Sequence, residues 1–376
     1  MGKLNRREVL AANLLIVPPR TAFGTSANSV VSFGIIGTGN RGRLVGTLMT
    51  QDPRARLGAI CDVYPDRIDL AKTEVPGAAR VPVHRDHREL LARADLDAVL
   101  IATPVYLHPE HFEAAVQAGK HVYCEKPVGA DVAGVKRVLS AAARAGGARS
   151  QVFGFQQRFS PEYLAVEKMI RDGRLGEIML MTAFWIWGGA AFQRRPQPAV
   201  PLEEYKKRAW IAWKDRSGDF IVEQDCHGVD VLNWFAGARP LKAVGDGGRL
   251  RRTSGDVGDH VNVTYYYPNR IKGWLLGTQL PPLGHREIRE VIYGTLGVVE
   301  THRKYYKLYR PDTRDYVTVD SRREITIDAI EAFFGAILAG KPIHNVAASC
   351  DSTLASLLGG MAVDRRREVT WEEMMR

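Results

Sequence analysis

The sequence predicts an α/β N-terminal domain with a doubly wound parallel sheet of Rossmann type, followed by an α+β C-terminal domain with a largely antiparallel open sheet. Three observations predict it. From about residue 30 to 155, short apolar runs alternate with amphipathic stretches, the rhythm of parallel strands joined by crossover helices. Gly37–Thr38–Gly39–Asn40–Arg41–Gly42 follows the first apolar run and opens the first amphipathic one. After residue 160, runs of strand character follow one another with turn residues between them, as in an antiparallel sheet.

In chain order, Val30 to Ile36 reads as a strand, Arg41 to Met49 as a helix, Arg56 to Cys61 as a strand, and the stretch from Pro65 as a helix. Ala98 to Ala102 is a strand. His108 to Ala118 is a helix, which Gly119 stops. His121 to Cys124, a helix from Asp131 to Ala145, and Val152 to Phe155 complete the first domain. In the second domain, Pro161 to Arg171 is helical and Glu177 to Trp187 a long strand. Phe220 to Phe235 reads as one helix. Strands follow at Lys242 to Val244, His260 to Tyr267, Lys272 to Thr278, Glu287 to Tyr293, Val298 to Thr301 and Tyr305 to Tyr309. Helices return at Asp328 to Leu338 and Ser349 to Asp364. The expected organisation is an arm over 1–29, a dinucleotide-binding domain over 30–155, a substrate and oligomerisation domain over 156–345, and a helix and strand over 346–376 that return to the N-terminal domain.

The chain has 376 residues, 45% hydrophobic and 25% charged, enough for two buried cores. The formal net charge is +10. The basic residues are scattered, in short groups such as Lys206–Arg208 and Arg249–Arg252, without a nucleic-acid-binding motif. They read as a solvated surface that attracts anions, so no nucleic-acid partner is expected. No run of eighteen apolar residues predicts a membrane span. Cys61, Cys124, Cys226 and Cys350 are too widely spaced for a metal knuckle or a disulfide framework, and no metal is expected. Arg6–Arg7, the mostly apolar run Val9 to Val17 and Pro18–Pro19 read as a twin-arginine export signal, hence an exported or periplasmic protein; the alternative is a basic arm on a cytoplasmic one.

The glycine-rich segment binds a pyrophosphate when it lies between a strand and a helix. Gly37 permits the tight turn, Gly39 the close approach of phosphate, and Gly42 the packing of helix on strand. The amides of Asn40 and Arg41 then face the phosphate charge. Asp62, twenty residues beyond Gly42, is placed to accept from the ribose hydroxyls and to repel a 2′-phosphate, favouring NAD over NADP. Arg67 softens that preference. Thr103, Pro104 and His108 lie at the end of a further parallel strand, where they either touch the nicotinamide half or cap the next helix. Glu125 and Lys126 follow the strand His121 to Cys124. There, Lys126 can bond a reacting oxygen, and Glu125 can hold cofactor or fix the lysine.

An N-terminal strand followed by G-x-G-x-x-G, an acid after the second strand, Ala102–Thr103–Pro104 and then Glu125–Lys126–Pro127 together resemble the Gfo/Idh/MocA oxidoreductase family over roughly residues 30 to 370. The resemblance implies catalysis by Lys126 and by a histidine on a helix of the second domain. His227 matches that histidine; Glu223 stands where the family's aspartate is expected. Glu223 and His227 lie four apart and Asp230 three further on, one face of a helix. A carboxylate beside the imidazole would fix its tautomer and raise its basicity, making His227 the acceptor of the hydroxyl proton. Arg158 and Asp230 are expected to hold substrate, and Trp213 to face it. The expected function is NAD-dependent hydride transfer at a ring hydroxyl of a sugar, cyclitol or sugar derivative, with tightly bound NAD and a homodimeric or homotetrameric assembly. The alternatives are a glycoside hydrolase that oxidises, eliminates, hydrates and re-reduces around bound NAD, and a non-enzymatic sugar or dinucleotide sensor.

Overall fold

The computed structural model describes residues 30–188 and 200–376. The expected export signal lies outside the described residues. Six parallel strands form the first sheet: β1 (Val31–Ile36), β2 (Ala55–Cys61), β3 (Val83–His84), β4 (Ala98–Ile101), β5 (His121–Cys124) and β6 (Gln151–Phe153), in the order β3-β2-β1-β4-β5-β6. Helices α1 (Asn40–Gln51), α2 (Pro65–Glu74), α3 (His87–Leu91), α4 (His108–Gln117) and α5 (Val132–Ala145) connect them. Every residue of β1, β4 and β5 is buried, because helices cover both faces of a doubly wound sheet. The strand order reverses between β1 and β4, and that switch point opens a crevice at the carboxyl ends of the strands. Asp131 does not begin α5 but caps it, accepting from the Gly134 amide.

The second domain begins with α6 (Pro161–Arg171) and β7 (Ile178–Trp187), continues through α7 (Leu202–Arg208), α8 (Lys214–Ser217), α9 (Phe220–Glu223) and α10 (Cys226–Ala236), and then lays down β8 (Lys242–Gly248), β9 (His260–Tyr266), β10 (Lys272–Thr278), β11 (Arg286–Gly294), β12 (Gly297–His302), β13 (Tyr305–Tyr309) and β14 (Tyr316–Asp320). Helices α11 (Ile325–Leu338) and α12 (Val346–Arg365), strand β15 (Val369–Thr370) and α13 (Trp371–Met375) complete the chain. The nine-stranded sheet has the order β14-β13-β12-β11-β7-β10-β9-β8-β15. It is antiparallel except where β7 runs parallel to β10, so the sheet is mixed. Alternation along β10 buries Gly273, Leu275 and Gly277 and exposes Lys272, Trp274 and Leu276. The inner face packs on helices: Gly228 of α10 sits so close to β7 that a Cβ there would stand 3.1 Å from Ala183.

Three expectations are corrected. The single helix Phe220 to Phe235 is broken at Gln224 and Asp225, between α9 and α10, where the backbone stays in the right-handed region but is distorted, with Gln224 at φ −107. Asp225 is drawn under β10, and a Cβ on Gly277 would meet its carboxylate at 1.8 Å. Helix α11, expected in the second domain, buries Ala329, Ile330, Phe333 and Phe334 in the core of the first, with Phe334 against Phe33 and Phe333 edge-on to Tyr123. Strand β15, expected to return to the N-terminal domain, pairs with β8 of the second sheet. Strand β14 was not anticipated; its five residues are all exposed, so it carries no burial alternation. Helix α12 is long and apolar enough to span a bilayer, but Ser349, Ser352, Thr353 and Ser356 are buried along it with its apolar residues, and Val128 donates to Thr353. It is a core helix joining the two domains.

Candidate active site

The crevice at the end of β1, β4 and β5 encloses about 960 Å³ and is lined by Gly39, Asn40, Arg41, Asp62, Arg67, Thr103, Pro104, His108, Glu125, Lys126 and Glu223 among others. The glycines divide their tasks as their positions require. Gly37 has φ +91, and a Cβ there would stand 2.7 Å from Ala102. A Cβ on Gly42 would meet the Gly37 carbonyl at 1.9 Å, whereas one on Gly39 meets nothing within 4 Å. Gly39 therefore faces open space, and the N-terminus of α1 behind it has no side-chain cap. Uncapped helix amides beside an open cradle suit a pyrophosphate, so the residues present fit a dinucleotide. Asp62 has a structural duty as well: its Oδ2 accepts from the Thr38 amide at 2.7 Å and hydroxyl at 3.1 Å, and its Oδ1 from the Tyr64 amide. It ties the glycine loop to the end of β2 while still lining the crevice. Arg41 does not reach outward; it pairs with Glu125 at 2.9 Å.

His108 is buried. Its Nδ1 lies 2.7 Å from the Pro127 carbonyl and its Nε2 2.8 Å from the Thr103 carbonyl. The imidazole thus braces the Glu125–Lys126–Pro127 turn, which has a cis Lys126–Pro127 bond, against the end of β4. Burial holds His108 below its ordinary pKa. The Thr103 hydroxyl is 3.0 Å from Nδ1 of His111, which burial pushes down to about 3.

Lys126 is where the two domains meet. Its ammonium donates to the main-chain carbonyl of Glu223 and lies 3.6 Å from that residue's Oε1. The break after α9 makes this bond available. In a continuous helix the Glu223 carbonyl would accept from the His227 amide; here it takes the Lys126 ammonium, with the Cys226 thiol 3.9 Å away, and the Gly228 amide shortens its reach to the Asp225 carbonyl. Among the described residues both carboxylate oxygens of Asp225 are buried without a hydrogen-bond partner, and burial, then the charges of Asp219 and Glu223, raise its pKa well above the ordinary range.

Glu223 is thus committed to Lys126 and does not orient His227, as the four-residue spacing had suggested. His227 Nδ1 is buried and unbonded among the described residues. The ring stacks on Trp185 at 5.1 Å and 11° and meets the edge of Phe155. Burial, then Lys126, Arg303 and Arg41, drive its pKa well below the ordinary value, which favours the neutral ring. Arg158 and Asp230, expected to hold substrate, bind each other: Nε and Nη2 of Arg158 meet the Asp230 carboxylate at 2.8 to 3.0 Å, and Ser352 adds a further donor. Trp213, expected to face substrate, lies under Lys206; its neighbour Trp210 lines the crevice instead. Among the described residues no three His, Cys, Asp or Glu side chains gather as a metal site.

Sequence reasoning missed a strap. Residues 202–213 cross from the second domain and line the crevice with Glu204, Lys207, Arg208 and Trp210. Arg208 lies 4.0 Å over the Tyr64 ring and 3.2 Å from Asp66, and Arg216 lies 4.6 Å over Tyr106. The signal present, the basic triplet Lys206–Arg208, is the same one a solvated helix face gives.

A dinucleotide cradle on a doubly wound sheet, with Lys126 at the end of β5 lining its crevice and a second domain reaching that lysine through Glu223, defines an NAD-binding oxidoreductase. The chain belongs to the GFO/IDH/MocA family: residues 31–152 match its "Oxidoreductase family, NAD-binding Rossmann fold" and residues 163–300 its C-terminal domain. Inositol 2-dehydrogenase of Rhizobium meliloti (strain 1021) is 30% identical over 235 residues, 62% of this chain and 64% of that protein. Inositol 2-dehydrogenase 2 of Saccharopolyspora erythraea is 27% identical over 343 residues, 84% of this chain and 93% of that one. In fold, the chain resembles scyllo-inositol dehydrogenase from Lactobacillus casei with bound NAD(H) and scyllo-inositol, with TM-score 0.73 at 21% identity over 92% of this chain and 100% of that one. It also resembles levoglucosan dehydrogenase in complex with NADH and levoglucosan, with TM-score 0.76 at 20% identity over 91% and 99%.

Proposed function

We propose that this protein oxidises a ring hydroxyl of a sugar, cyclitol or sugar derivative with NAD. The observation that carries the reading is the seat of Lys126: at the carboxyl end of β5, lining the dinucleotide crevice and held by the second domain through Glu223. Gly39, the first turn of α1 and Asp62 would hold NAD, which when bound accepts the hydride. Lys126 donates a hydrogen bond to the reacting oxygen and stabilises the negative charge that grows there. His227, neutral at ordinary pH, receives the hydroxyl proton. Glu223 positions Lys126. The relatives whose names state an activity are dehydrogenases, which favours net oxidation over redox-neutral glycoside hydrolysis or sensing. The test is NADH formation from NAD and a panel of inositols, aldoses and anhydrosugars. NADH from at least one member supports the reading; release of sugar from glycosides without NADH contradicts it.

The strap supports tight retention of NAD. The outer face of the nine-stranded sheet, with Trp274 and Leu276 exposed, supports assembly of copies into a homodimer or homotetramer, which light scattering measures. The paired Arg6 and Arg7 support export through the twin-arginine route; replacing both by lysine should abolish it.

A further inference from the structure

One cation near the site lacks a counter-ion among the described residues. Arg303, in the turn between β12 and β13, lays its guanidinium 5.1 Å over the Trp185 ring that stacks on His227. Its Nε and Nη2 are sealed from solvent and have no hydrogen-bond partner among the described residues; the same holds for Trp185 Nε1 and His227 Nδ1. Four such atoms on three side chains in contact are unusual, because buried polar groups are almost always paired. Arg303 as a whole is half-buried, with Nε and Nη2 on its sealed side. Lys126 has Glu223 and Arg41 has Glu125. The acids that act on Arg303, Glu290 and Glu324, are turned elsewhere: Glu290 Oε2 accepts from Tyr163 and Thr301, and Glu324 Oε1 from Thr326. Residues 189–199, outside the described residues, contain no Asp or Glu.

Nε and Nη2 form one edge of the guanidinium, two parallel N–H donors that match the two oxygens of a carboxylate. We propose that Arg303 is a substrate-recognition residue, and that the substrate is a sugar or cyclitol bearing a carboxylate, bound by the Nε–Nη2 edge beside the Trp185 indole N–H. The proposal rests on the polyol-oxidising reading of the same site. It also bears on the proton acceptor. Lys126, Arg303 and Arg41 all oppose protonation of His227; a bound carboxylate neutralises one of them and restores basicity to the imidazole when substrate is present.

The test uses the NAD-loaded protein and reads binding and turnover separately. Binding of glucuronate, galacturonate and gluconate is measured by calorimetry against glucose, galactose and glucose 6-phosphate, with the wild type, Arg303→Met and Arg303→Lys. The expected result is carboxylate binding that weakens about 100-fold in Arg303→Met and is not rescued by lysine, which lacks the two-pronged edge, while NAD binding is unchanged. Carboxylates binding no better than their neutral partners, tighter binding of the phosphate, or equal carboxylate binding by Arg303→Met would each overturn it. Arg303-dependent carboxylate binding without NADH from any compound would leave the recognition residue standing and remove the dehydrogenase reading instead.

Discussion

Lys126 and Glu223 join the two domains through a bond that the break between α9 and α10 makes possible: the lysine ammonium donates to a main-chain carbonyl released from the helical ladder, with the Glu223 carboxylate 3.6 Å away. The lysine is therefore held by backbone as well as by a side chain. Lys126→Met should lower kcat about 100- to 1000-fold, the cost of losing one donor to a developing oxyanion, with NAD affinity retained. Glu223→Gln keeps the carbonyl and should cost about tenfold, mostly in kcat. Steady-state kinetics on the two variants check the order; an equal loss in both would mean that Glu223 does more than position the lysine.

The three glycines should separate binding from folding. Gly39→Ala adds a methyl to open space in the cradle, so the variant should fold normally and bind NAD about tenfold or more weakly, roughly 1.4 kcal/mol. Gly42→Ala forces a Cβ against the Gly37 carbonyl and should lower thermal stability as well. Calorimetric titration with NAD and thermal melts distinguish them.

The strap should slow cofactor exchange. Arg208→Ala removes both the stacking on Tyr64 and the pairing with Asp66, contacts at a partly exposed site worth about 1 kcal/mol together. NAD should leave about fivefold faster, measured by stopped-flow displacement.

Arg158 and Asp230 are a buried ion pair, so Arg158→Ala should leave an uncompensated carboxylate and destabilise the protein by about 3–5 kcal/mol. Had Arg158 held substrate, the change would raise KM at unaltered stability. Chemical denaturation decides between them.

Acid should destabilise the fold from the histidines inward. His227 and His108 are held below their ordinary pKa, and His111 and His121 are pushed down to about 3 and about 4, all by burial. The unfolded chain, with histidine near 6.5, then binds protons that the folded one refuses. Stability is full above pH about 6.5 and falls as pH drops below it, by about 1.4 kcal/mol per pH unit for each histidine fully engaged. Glu290, raised to about 7 by burial, acts oppositely, losing stability as pH rises from about 4.5 towards 7, as do the carboxyls of Asp219, Asp225, Asp328 and Asp351 that burial also raises; His87 and His302, lowered by burial, add to the histidine side. Melting temperatures between pH 4.5 and 7.5 should climb with pH.

The cofactor half was legible in sequence because its determinants are local. Gly37, Gly39 and Gly42 act on their own turn, and Asp62 follows its strand directly. The substrate half was less so because its determinants are tertiary. Nothing between residues 220 and 235 announces a helix break; Asp225 is pulled under Gly277 by the sheet. Arg158 and Asp230 were read as free, since their pairing joins positions 72 apart. The helix α11 reads as part of the domain preceding it in the chain, yet Phe333 and Phe334 face the first sheet. Within the strand expected from Glu177 to Trp187, nothing local marks Trp185 as the ring that His227 covers, and nothing marks Arg303 in its hairpin turn.

The most direct test of the central claim is to incubate the protein with NAD and a turned-over polyol deuterated at its ring carbons, then to analyse the dinucleotide by mass spectrometry. Hydride transfer from a ring carbon predicts one deuterium in the reduced nicotinamide, lost with turnover in Lys126→Met. Product formation with no deuterium in the nicotinamide would contradict the account.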